Sequence, residues 1–133
     1  MTHSRIKDPG LGARVDEQEI AWLRSVTPIT QHYCHQISQQ DYGGKRLACW
    51  MHIKRNNLPM MTALAESGAE IVIGACNVDS TDDAVAAYLA QQGITVYAWQ
   101  SMSQADYDEH MQLVRAFDAD YLCDMGGELS LAY

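Results

Sequence analysis

The chain has 133 residues, of which 47% are apolar and 20% charged, with a net charge of −8 and no basic cluster longer than Lys54-Arg55. That length is one domain, able to bury roughly two-thirds of its unfolded surface. The acidic balance argues against a nucleic-acid partner, whose affinity rests on Lys and Arg against phosphates, and no stretch approaches the about 18 apolar residues that cross a bilayer.

Residues 1–15 are polar and punctuated by Gly and Pro, and read as an irregular arm. Asp16-Glu17-Gln18-Glu19 then opens a helix with acidic residues at its positive end. Ile20, Leu23 and Val26 recur at about helical spacing up to Pro28. A second helical stretch covers 29–40 and is stopped by Asp41-Tyr42-Gly43-Gly44. From there strands and helices alternate. Strands are expected at 46–51, 70–74, 95–99 and 121–124, and helices at 57–67, 83–91 and 103–116. Gly68 and Gly93 act as helix stops. Strict alternation at this spacing implies βαβ crossovers and a parallel sheet covered on both faces. The fold class is therefore α/β and three-layered, Rossmann-like or flavodoxin-like, with about four strands and an amino-terminal helical segment. An exposed last strand is a poor edge on which to end a sheet. Two expectations follow: the chain is a piece of a longer protein, incomplete at its carboxyl end, or a partner covers that edge.

Three polar segments fall at carboxyl ends of expected strands, where open α/β sheets bind ligands. They are His52–Asn57, Gly74–Asp83 and Asp124–Glu128. His52 suits acid/base work near neutral pH or the orientation of a hydroxyl; the plain alternative is a strand-end His bonded to nearby backbone. Lys54 and Arg55 can hold an anion, or can be solvated surface charge. Asn77 donates and accepts at once, which suits a base or ribose, and equally suits shaping a turn. Ser80 and Asp83 read as helix-capping residues. Asp124 and Glu128 can form an acid/base pair, with the thioether Met125 between them unable to move protons. His32-x-x-His35 with Cys34 has a metal-like look but no further ligands at matching spacing, so no metal is expected.

The four cysteines, Cys34, Cys49, Cys76 and Cys123, are widely spaced, and the amino terminus has no apolar signal core. Cys49 and Cys123 lie inside expected strands, where a thiol behaves as a small hydrophobe, and Cys76 has no activating neighbour. A cytoplasmic, reducing setting is expected, with no membrane partner. There is no Gly-x-Gly-x-x-Gly, Walker A loop or Gly-x-Ser-x-Gly elbow in the chain, so no cofactor is expected to bind this chain alone.

The strings Lys45-Arg46-Leu47-Ala48-Cys49-Trp50-Met51-His52, Ser67-Gly68-Ala69-Glu70, Cys76-Asn77-Val78-Asp79-Ser80-Thr81-Asp82-Asp83 and Gly93-Ile94-Thr95-Val96-Tyr97-Ala98-Trp99 resemble the adenosylhomocysteinases. The likeness is to the amino-terminal part of their substrate-binding domain and covers 16–127. It implies an NAD-dependent hydrolase that splits S-adenosylhomocysteine to adenosine and homocysteine, as part of one-carbon metabolism. In that family the NAD sits in a separate domain, and the enzymes are usually homotetramers. Within that resemblance His52, Lys54, Asn56, Asn77, Ser80, Asp124 and Met125 fall at substrate positions, with His52 and Asp124 the catalytic candidates. The chain departs from the family pattern in the same places. Lys54 stands for a Thr and Asn56 for a Glu that contact adenosine, and Met125 stands for an acid/base Asp. Two functions are carried forward: a substrate-binding domain for an adenosine-like or other polar small molecule, which does not hydrolyse S-adenosylhomocysteine alone, and a non-catalytic assembly or regulatory module pairing with itself or with an NAD-binding subunit.

Overall fold

The computed structural model describes residues 3–132. Five parallel strands form one sheet: β1 (Arg5–Ile6), β2 (Arg46–Met51), β3 (Glu70–Ala75), β4 (Thr95–Ala98) and β5 (Tyr121–Asp124). Their order is β1-β4-β3-β2-β5. Helices α1 (Glu17–Val26) and α2 (Pro28–Ser38) precede β2. Helices α3 (Leu58–Glu66), α4 (Asp83–Gln91) and α5 (Gln104–Arg115) connect the later strands, and α6 (Glu128–Ala132) follows β5.

Side chains alternate across the strands and sort into two cores. Cys49 and Met51 of β2, Ile71 and Ile73 of β3, and Val96 and Ala98 of β4 pack with Leu58 and Met61 of α3 and Val85 and Leu89 of α4. On the opposite face Ala48 and Trp50 of β2, Val72 of β3 and Tyr97 of β4 pack with Val114 of α5 and Leu129 of α6. The placement follows from crossover handedness. The path β2–β3–β4 runs outward along the sheet, and the path to β5 then returns past β3 and β2. A right-handed crossover in the reversed direction puts α5 on the other face. The reversal leaves a switch point between the carboxyl ends of β2 and β5, where this class of sheet binds ligands.

The segment expected to be an irregular arm is instead ordered into the sheet. Arg5 and Ile6 pair with Tyr97 and Ala98 as the fifth strand. The Ser4 hydroxyl accepts from the Val96 amide at 3.0 Å, and Arg5 ion-pairs with Glu109 at 2.6 Å. Residues Pro9–Arg14 form a short 3-10 helix capped by Asp8. A two-residue strand carries no periodicity, so nothing in the sequence marks it.

Two buried groups constrain this framework. Gly74 of β3 pairs with Trp50 of β2, and a Cβ added at Gly74 would lie 2.2 Å from the indole Cζ3. The aromatic ring fills the place of a side chain. His110 of α5 is fully buried, with neither ring nitrogen in a well-formed hydrogen bond, and Trp99 meets it edge-on at 4.8 Å. Burial pushes its pKa down and Arg5 adds to the effect, against the opposing pull of Asp106, Glu109 and the Tyr97 backbone.

Gly74→Ala is expected to destabilise the fold by about 1–3 kcal/mol through overpacking against a rigid ring, read as a lowered urea midpoint. For His110 the folded chain holds the ring proton less tightly than the unfolded chain, which protonates at the ordinary His pKa of about 6.5. The unfolded state therefore binds more protons below that pH, and stability falls as pH drops through about 6.5 and levels off above it. His110→Phe should flatten this dependence in denaturation measured between about pH 5 and 7; an unchanged slope would show that His110 does not cause it.

Candidate functional site

The sheet brings the three polar segments together on one rim, because β3, β2 and β5 are neighbours. After β2 the chain buries Ile53, whose carbonyl accepts the Asp82 amide at 2.9 Å. Asn57 donates its side-chain amide to the His52 carbonyl. After β3, Asn77 Oδ1 accepts the amides of Asp79 and Ser80 at 3.0 and 3.1 Å, the turn for which Asn side chains are suited. Thr81 and Ser80 donate their hydroxyls back to the Asn77 carbonyl. His52 Nδ1 lies 2.8 Å from the Ser80 hydroxyl, which ties the two loops together.

Helix α4 is capped by Asp82, which accepts from Ala84 and Val85, rather than by Ser80 or Asp83. Asp82 also receives Arg55 Nε at 3.1 Å, and Arg55 reaches Glu19 of α1 as well. Asp83 holds the Gln100 amide at 2.7 Å and Lys7 at 3.1 Å. Lys54 and Asn56 are exposed, and their side chains make no hydrogen bond or ion pair among the described residues. Arg55 is thus a structural cation.

The carboxylates expected to act as a pair take separate partners. Asp124 Oδ2 accepts the Ser130 amide and hydroxyl, both at 2.7 Å. Burial alone would raise the Asp124 carboxyl, but the hydrogen bonds from Ser130, with backbone groups of Leu129 and Gly127, outweigh it and hold the pKa below the ordinary value. The carboxylate is an ionised cap on α6. Glu128 instead receives the Tyr107 hydroxyl and, at 3.2 Å, the Trp50 indole N–H. Trp50 also donates to the Tyr107 oxygen at 3.1 Å. Between Asp124 and Glu128 the turn needs Gly126 at φ 121° and Gly127 at φ 81°, a backbone that side-chain-bearing residues rarely adopt. Met125 is half-exposed and continues the sheet by donating its amide to the Trp50 carbonyl at 2.9 Å.

A cleft of about 370 Å³ opens here, walled by Cys76–Asp79 after β3, by Met102, Ser103, Gln104 and Tyr107 at the start of α5, and by Glu128. Asn77 is the one expected ligand residue that lines it. Tyr107 was missed, since in sequence it is one more aromatic on a helix. A larger cleft of about 760 Å³ lies around Lys7, Arg55, Asp82 and Asp83, where Lys7 pairs with Asp83 and Arg55 with Asp82. The smaller cleft offers Asn77, Gln104, Asp79 and Glu128, a set rich in acceptors and suited to a ligand bearing hydroxyl or amino groups. Tyr107 stays protonated at the back of it. Burial, reinforced by Glu128, pushes its pKa up to about 12. Burial likewise raises the Cys76 thiol, so Cys76 is no nucleophile. Among the described residues no group of three or more His, Cys, Asp or Glu side chains is placed to hold a metal, and no helix is long and apolar enough to cross a membrane.

A parallel sheet whose polar loops are cross-braced at its carboxyl rim defines an α/β domain of the Rossmann-like kind. The chain belongs to the S-adenosyl-L-homocysteine hydrolase family, whose model matches residues 13–133. It is 33% identical to an adenosylhomocysteinase of Pyrobaculum aerophilum over 98% of this chain and 30% of that protein. It is 29% identical to an adenosylhomocysteinase of Sulfolobus acidocaldarius, over 94% of this chain and 30% of that one. To an S-inosyl-L-homocysteine hydrolase of Methanopyrus kandleri it is 27% identical, over 92% of this chain and 29% of the relative. The chain therefore spans about 30% of the length of these curated relatives.

Replacing Glu128 by Gln removes the charge that opposes phenolate formation at Tyr107. The Tyr107 pKa should move down from about 12 toward the ordinary tyrosine value, read by ultraviolet titration of the phenols. An unchanged titration would mean that burial alone sets it.

Proposed function

We propose that this chain is the nucleoside-side substrate-binding domain of a hydrolase of this family, holding a purine nucleoside or its thioether conjugate on the rim of the sheet. The observation that carries this reading is the cleft between the Cys76–Asp79 loop and Tyr107–Glu128, at the carboxyl ends of the strands in a chain of this family. Its acceptors suit ribose hydroxyls and an amino-acid ammonium. The relatives include hydrolases named for adenosyl and for inosyl substrates, so both purines are candidates.

NAD does not fit the turns that open α4 and α5. A dinucleotide places its pyrophosphate on the amide groups of a helix amino terminus. At α4 those amides are taken by the Asp82 carboxylate, and at α5 by the Ser103–Asp106 capping box. An anion there would meet a carboxylate. In this reading the cofactor belongs to a separate domain, and hydrolysis of S-adenosylhomocysteine needs more than this chain. A role in assembly is the second reading. Tyr121 and Leu122 on the edge strand, with Leu131 of α6, are large exposed apolar residues that suit a covering partner, either a second copy or an NAD-binding subunit.

Calorimetric titration with adenosine, inosine and homocysteine tests the binding role. At least one nucleoside should bind in the millimolar range or tighter, and Glu128→Gln should weaken it about tenfold, or ~1.4 kcal/mol. Pure chain given S-adenosylhomocysteine and NAD should release no adenosine. Absence of heat with all three ligands would overturn the binding role and leave assembly as the surviving reading.

A further inference from the structure

Cys49 and Cys123 are direct partners in the pairing of β2 with β5. In a parallel pair, register partners project on the same face, and neighbouring strands lie about 4.8 Å apart. That spacing falls inside the Cα separation of about 4.4–6.8 Å that a disulfide bridges. Both thiols pack against the α3/α4 core, and each shifts the other's hold on its proton, Cys49 upward and Cys123 downward. Their surroundings differ. Cys49 is buried in the inner strand, whereas Cys123 is partly exposed on the edge strand. The structure thus pairs an accessible attacking sulfur with a sheltered resolving one. Nothing in the ligand cleft uses either.

We propose that Cys49 and Cys123 form a reversible redox modification site, converted from dithiol to disulfide by hydrogen peroxide. The Cys123 thiolate attacks one peroxide oxygen. An S–O bond forms, the O–O bond breaks, and the departing hydroxide takes a proton to leave as water. Cys49 sulfur then attacks the Cys123 sulfenic acid. The S–S bond forms as the S–O bond breaks, and the Cys49 proton leaves with the hydroxide as a second water. Two thiols are oxidised by two electrons, and the peroxide is reduced to two waters. Cys49 lowers the Cys123 pKa against the opposing effects of burial and Asp124, which favours the thiolate that reacts. A four-residue strand at the edge of the described sheet is the element most able to shift as the two sulfurs close to bonding distance. Asp124 follows Cys123 directly and caps α6, so oxidation is felt at the start of the Gly126-Gly127 turn.

The intact chain is treated with hydrogen peroxide, then alkylated in denaturant and mapped by peptide mass spectrometry. Reactive thiols should fall from four to two, with a peptide linking Cys49 to Cys123, lighter by two hydrogens and restored to dithiol by a reductant. Cys34 and Cys76 should remain alkylated. In Cys49→Ser, Cys123 should stop at the sulfenic acid and be trapped by dimedone. The inference is overturned if all four thiols persist, if the linkage involves Cys34 or Cys76, or if Cys123 passes to sulfinic acid with no linked peptide. It is equally overturned if dimedone fails to label Cys123 in folded Cys49→Ser. None of these readouts depends on the binding of a nucleoside, so the two proposals fail separately.

Discussion

The packing of the Trp50 ring over Gly74 is the contact on which the site depends. A fully buried indole occupies the space that a β3 side chain would otherwise take, so β2 and β3 interlock through one ring. The indole N–H reaches the edge of that core and divides its hydrogen bonding between Tyr107 of α5 and Glu128 at the start of α6. A buried N–H without an acceptor costs on the order of 1–3 kcal/mol. That cost fixes the two elements which wall the cleft. The close approach of two strands thereby sets the position of a carboxylate on the rim.

A second set of contacts makes the rim stiff without involving the cleft. The His52–Ser80 bond and the Asp82 amide on the Ile53 carbonyl join the loops after β2 and β3. Arg55 joins both to α1 through Glu19 and Asp82. These groups are partly shielded from solvent, so the ion pairs are less screened than fully exposed ones. His52 and Arg55 at the end of β2 are thus both engaged in bracing contacts.

The alternating core was legible because β-branched and small apolar residues such as Ile71, Val72 and Ile73 recur in runs bounded by Gly and polar turns, and 46–51 and 121–124 were read with the strand bounds observed. The convergence of three loops on one rim followed from parallel topology alone. What stayed hidden has a common cause. Strand β1 is two residues long and exists through pairing with Tyr97 and Ala98, a contact some 90 residues away in the chain. Tyr107 and Trp50 gain their roles from a hydrogen bond across 57 residues. The choice between Ser80, Asp82 and Asp83 as the cap of α4 turns on one residue of phase, which propensity does not resolve because all three are good capping types. Short-range signals fixed the elements, while long-range partners assigned the side chains.

The strand β5 shows how one element can serve two unlike purposes. Its side chains alternate, so Cys123 faces the α3/α4 core while Asp124 faces α6. The carboxylates on the α5/α6 side are separated in the same way by the diglycine turn. Asp124 is consumed in capping, whereas Glu128 is handed to Trp50 and Tyr107. An acid/base pair needs two groups sharing one substrate and holding different proton affinities. Here the two acids share no partner, and Asp124 is held ionised by donors it cannot release without uncapping α6. With Met125 between them unable to carry a proton, the Asp124–Glu128 turn presents two carboxylates with separate partners rather than one shared proton site.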